Sequence, residues 1–189
     1  MNEIQIREFD ALRQTIRSRG TARPITFLIG LSAWAMLLVA VLVWLPNPLA
    51  ATLPLIVLVG TFEVVRTLHL GVERIGRYVQ AFFEEPAHET LLPHAVPPLS
   101  PPAWETSAMI FGPSVPGAGG HPLFLPIIVI ATLLNYLAVV FPGPVIVELW
   151  TLAIPHVAFV VWMIYCDRAM RKQRASELAR FRELKSGSR

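Results

Sequence analysis

The sequence predicts an all-α integral membrane protein whose four transmembrane helices form two hairpins carrying amphipathic cytoplasmic extensions, and three observations support this. Ala, Val, Ile, Leu, Met, Phe, Trp, Tyr and Cys make up 54% of the 189 residues, and charged residues only 15%, where soluble domains carry about 25%. Mean hydropathy is correspondingly high, at +0.55. Four apolar stretches account for this composition, at about 25–45, 49–68, 122–141 and 145–166, each near the roughly 20 residues a helix needs to cross a bilayer. Finally, the sixteen Lys and Arg residues fall in three clusters, before the first stretch, after the second and after the fourth, with none between Arg77 and Arg168. Four spans put all three clusters on one side, and positive charge near span ends favours the cytoplasm. Both termini are therefore expected in the cytoplasm, most naturally at the plasma (inner) membrane. The composition argues against a soluble enzyme, and the length suits one domain.

The N-terminal segment 1–20 reads as an interfacial amphipathic helix. Phe9, Leu12 and Ile16 recur at helical spacing, Asp10, Arg13 and Arg17 turn away, and Gly20 stands as its C-terminal stop. The first apolar stretch is expected to be a retained span rather than a signal peptide, since it is too long and no small-residue cleavage site follows it. It opens after Pro24, which suits a first helical turn. It contains Gly30, Ser32 and Ala33, which let a neighbouring helix approach, and Trp44 marks its outer interface.

Residues 24–84 form the first hairpin. Its second helix is expected to outrun the bilayer, reaching from about Leu49 to Phe83, because Val65, Leu68, Val72, Ile75, Val79 and Phe82 recur at alternating three and four spacings. Such a heptad-like seam fits a partner helix. Glu63 with Arg66 and Glu73 with Arg77 are spaced for ion pairs along this helix.

The segment 85–121 is proline-dense, with the run Pro97-Pro98-Leu99-Ser100-Pro101-Pro102, and is expected to be a cytoplasmic loop acting as a spacer rather than an SH3-type ligand. A short helix is expected inside it at about 101–111. Residues 122–189 form the second hairpin, whose last helix continues through Asp167 and Arg168 with Met170, Leu178, Phe181 and Leu184 as an apolar face. The two hairpins also resemble each other. Arg23-Pro24-Ile25-Thr26-Phe27-Leu28 is similar to His121-Pro122-Leu123-Phe124-Leu125, and both hairpins turn at Pro-x-Pro. Apolar composition alone produces such likeness readily.

Ionisable and polar groups within spans are costly, which makes each a candidate. Glu63 and Arg66 lie toward the cytoplasmic end of the second span, where mutual neutralisation is the favoured reading. Glu148 sits in the first turn of the fourth span and complements the positive helix end. Asn135 lies level with Thr151, so a hydrogen bond between them is expected. His156, after Pro155 at mid-span, is the foremost candidate for proton transfer, because imidazole titrates near neutrality. A haem held between two histidines would require paired His156 from two copies, since His69 lies at another depth and His88, His94 and His121 belong to the loop. No other cofactor or metal is indicated. The single cysteine, Cys166, gives no thiol pair, and phosphate-loop, zinc-protease and serine-hydrolase motifs are absent from the sequence.

The expected function is therefore non-enzymatic: an accessory, scaffold or assembly subunit of a membrane complex, acting through its cytoplasmic helices. Its expected partners are the lipid bilayer and a second copy or other subunits, with no nucleic acid. The alternative is a small oligomeric channel or transporter with His156, Asn135, Glu63 and Arg66 facing a shared pathway.

Overall fold

A computed structural model of the chain describes residues 3–84 and 123–187. The expected helix at about 101–111, with the whole of the proline-dense loop 85–121, lies outside them. Among the described residues there is no strand. Four α-helices follow in order: α1 (Glu3–Trp44), α2 (Leu53–Val79), α3 (Leu125–Val140) and α4 (Ile146–Gly187). A 3-10 turn, Ala50–Thr52, leads into α2, and a π-helical turn, Gln80–Glu84, ends it. The segments Glu3–Trp44, Ala50–Glu84 and Ile146–Gly187 are long and apolar enough to cross a membrane.

Three boundaries differ from expectation. Helix α1 does not stop at Gly20, and Pro24 lies inside it. Gly20 lacks the left-handed conformation that ends helices, since Gly143 is the only described glycine with positive φ. Pro24 removes a single ladder bond, the one its missing N–H would give to the Gly20 carbonyl, and the helix continues past that gap. The third apolar stretch yields a helix of 16 residues rather than one filling 122–141. Phe124 precedes it at φ 52°, ψ 28°, a left-handed conformation that costs a side-chain-bearing residue about 1–2 kcal/mol. Pro142 and Gly143 (φ 73°) follow it in the turn to α4.

The described residues divide into two units. The first comprises 3–20, 70–84 and 170–187, and the second 21–69 and 123–169. In the second unit α1 buries Phe27, Trp34 and Val41, each seven residues from the next. Leu55, Leu58, Phe62 and Val65 of α2 are buried with them, as are Ile128, Ala131, Ala138 and Val139 of α3 and Phe159, Met163 and Cys166 of α4. Phe27 stacks on Phe124 with ring centroids 4.2 Å apart, and Phe62 meets Phe159 edge-on at 5.9 Å. Helices α1 and α2 come very close at Gly30, where a Cβ would stand 2.1 Å from the Thr61 hydroxyl oxygen. Only glycine permits that approach. Leu28, Ile29, Met36, Val39 and Val43 of α1 and Val147, Trp150, Ile154, Val157 and Val161 of α4 are exposed, an apolar surface far beyond what water tolerates. Lipid is its natural solvent.

In the first unit an aromatic cluster joins three segments: Phe9 of α1 packs on Phe83 at 5.5 Å, and Tyr78 and Phe82 pack on Phe181 at 5.8 and 6.5 Å. Val79 and Ala81 are fully buried, whereas Leu184, counted in the expected apolar face of the last helix, is 58% exposed.

Candidate functional site

The polar centre of the second unit forms around Asn135 of α3, which is fully buried. Its carboxamide oxygen accepts from the Trp34 indole N–H at 3.1 Å, and its Nδ2 donates to the Ala51 carbonyl at 3.1 Å. The same Nδ2 lies 3.0 Å from His156 Nε2, while His156 Nδ1 lies 2.8 Å from the Leu152 carbonyl oxygen. A carbonyl only accepts, so Nδ1 carries the imidazole proton and Nε2 is left to accept from Asn135. One neutral tautomer satisfies every group. Both amide hydrogens and both ring nitrogens are engaged, and the Tyr136 ring covers the imidazole edge at 5.2 Å.

Local sequence explains this placement. Pro155 has no N–H, so the Thr151 carbonyl loses its helical donor, and the adjacent His156 ring turns back onto the carbonyl one residue further on. The expected Asn135–Thr151 bond does not form: the Thr151 hydroxyl donates to Val147 O at 2.7 Å within its own helix, on an exposed face. Thr151 and Asn135 match in depth along the hairpin but not in angle around the helix. His156, five residues on, faces α3 instead.

Glu63 and Arg66 form a second centre. Glu63 Oε2 accepts from Arg66 Nε at 2.9 Å and Nη2 at 2.5 Å, and Oε1 accepts from the Trp162 indole at 2.6 Å. The two side chains keep 33% and 27% of their surface exposed. Nearby, Arg23 donates to His69 Nδ1 at 3.0 Å. Glu148 lies at the start of α4, where Oε2 accepts from the Val145 N–H at 3.2 Å, a reach-back that satisfies one orphan donor of the helix end.

Along α2, Val65 and Val79 are buried and Leu68, Val72, Ile75 and Phe82 are half-buried. The most hidden stripe also takes in Phe62, His69 and Arg77. In the first unit Arg77, at 3% side-chain exposure, bridges two carboxylates: Glu73 at 3.1 Å and Glu177 at 2.5 Å. Arg174 clasps both oxygens of Glu73, and Arg74 reaches Glu177 at 3.3 Å. Burial by itself would raise the Glu177 carboxyl, but bonds from Arg77 and Gln173 and the charges of Arg77 and Arg74 outweigh it and hold it below the ordinary carboxylate range. Burial raises the Tyr78 hydroxyl, and its 3.0 Å bond to Glu8 raises it further.

Trp34, Trp162, Arg174 and Glu177 were not among the residues marked out by sequence. Trp34 had a readable signal: an indole N–H at mid-span meets no water and must find an acceptor. Glu177 had none, because its arginine partners come from α2 about a hundred residues away. Among the described residues no three His, Cys, Asp or Glu side chains converge as a metal set. A haem iron at His156 Nε2 would have to displace Asn135. No family model matches the chain, and neither a curated protein nor a solved structure matches it.

Proposed function

We propose that the chain is a non-enzymatic subunit of a membrane complex, spanning the bilayer four times as two hairpins and engaging a partner through cytoplasmic helices. The reading rests on one observation: Asn135, His156, Glu63 and Arg66 are bound to one another or to adjacent side and main chains, so their chemistry serves packing and little is left to face a solute. In this reading α3, at about 24 Å, spans by drawing on Phe124, Phe141 and local thinning of the bilayer. The positive clusters support a cytoplasmic position for both termini and the 85–121 segment, at a plasma (inner) membrane. The charged first unit then provides the surface for accessory, scaffold or assembly contacts with another subunit or a second copy.

The half-exposed Glu63–Arg66 pair favours one second reading, an oligomeric channel or transporter in which such pairs line a shared pathway. Purification of the full chain from its native membranes separates the two. The expected result is a stoichiometric second polypeptide, or a defined oligomer, that is lost when exposed Lys172 and Arg180 are both changed to Glu while the chain stays folded. A folded protein that conducts ions or protons in liposomes, and ceases to do so as His156→Gln, overturns the subunit reading.

A further inference from the structure

Several core residues of the second unit recur at one separation. Phe124 follows Phe27 by 97 positions, and Phe159 follows Phe62 by the same 97. Each of these pairs is in ring contact. The same separation relates Val41 to Ala138, which share one core cluster, and Trp34 to Ala131, both buried. It also relates His69 of α2 to Cys166 of α4, again both buried. Thus α1 lays the heptad Phe27, Trp34, Val41 along α3, while α2 lies along α4, each pair parallel and in register.

We infer that the membrane unit is an internal duplication, with residues from about 24 to 69 and from about 121 to 166 forming two copies of one helical hairpin packed about a pseudo-two-fold axis. Equivalent positions meeting in two different helix pairs, Phe27 with Phe124 and Phe62 with Phe159, are what packing about a two-fold axis produces. Phenylalanine meeting its own counterpart twice is the sequence mark of a common hairpin, at a register that the Arg23-Pro24 and His121-Pro122 likeness misses by one residue. The halves differ at most positions, and three of the differences make the polar centre: Trp34 against Ala131, Asn135 against Leu38, His156 against Val59.

The inference rests on the two-hairpin reading above, but its test reads side-chain packing and not membrane orientation or partner binding, so either can fail alone. In the purified full chain, Val41→Ala and Ala138→Val should each lower Tm, the first by leaving a cavity and the second by overpacking. The exchange Val41→Ala with Ala138→Val should recover most of the loss, because the two positions face each other across the axis. Phe62→Leu and Phe159→Leu should lower Tm equally. If a single variant fails to accumulate, the exchange is compared directly with wild type, and a Tm near wild type supports the inference. An exchange that loses as much as the two single changes together, or a Phe62→Leu loss with none for Phe159→Leu, overturns it.

Discussion

At the scale of single residues, Asn135 has the most consequences, because one carboxamide ties together Trp34 of α1, the Ala51 carbonyl of the 3-10 turn and His156 of α4. In a bilayer each such interhelical bond contributes about 0.6 to 2 kcal/mol. Asn135→Leu removes all three and leaves an indole N–H, a carbonyl and an imidazole nitrogen without partners, whereas Trp34→Phe removes one. Asn135→Leu should therefore be the more destabilising change, followed as Tm of the purified protein. Equal losses would mean that the indole bond alone matters. Sequence identified Asn135 and His156 as candidates because polar groups at mid-span are rare. It misassigned the partner of Asn135 because depth is readable from a hairpin count while the angle around a helix axis depends on packing.

At the scale of elements, two glycines of apolar helices have opposite roles. A side chain at Gly30 would collide with Thr61, whereas a Cβ at Gly60 meets nothing within 4 Å. Gly30→Ala should lower Tm and be partly rescued by Thr61→Gly. Gly60→Ala should be neutral or stabilising by up to about 1 kcal/mol, from helix propensity. The ion-pair network of the first unit has its own signature in pH. The folded-state value of Glu177 is held down, so its contribution is complete above the unfolded value of about 4.3 and is lost as pH falls through the lower folded value. Unfolding measured from about pH 6 to pH 3 should show wild type losing stability toward acid. Glu177→Gln should start lower at pH 6 and fall less. Removing the buried Arg77 is a harsher change, since breaking a buried pair from one side costs about 3–5 kcal/mol.

For the whole molecule, the prediction concerns orientation. Single cysteines replacing Asn47 and Val145 in a Cys166→Ser background should react with an impermeant thiol reagent from outside the cell, and Ser186→Cys should not. Val145 is chosen over Gly143, whose φ of 73° penalises any side chain. Labelling of Ser186→Cys from outside would overturn the four-span arrangement.

Sequence by itself determined that the chain is helical, that it carries helices able to cross a membrane, and which polar residues lie within them. Those properties follow from local composition and charge, summed along the chain. Only the tertiary structure decided that α1 runs unbroken through Gly20 and Pro24, because a helix survives one missing bond when the ladder continues on either side. It also decided that Trp34 and His156 share Asn135, that Arg77 is buried between two carboxylates, and that Gly30 rather than Gly60 must stay small. Each of these depends on which face of one helix meets which face of another. Helical periodicity can group residues on a face, but only packing against a neighbour selects the partner.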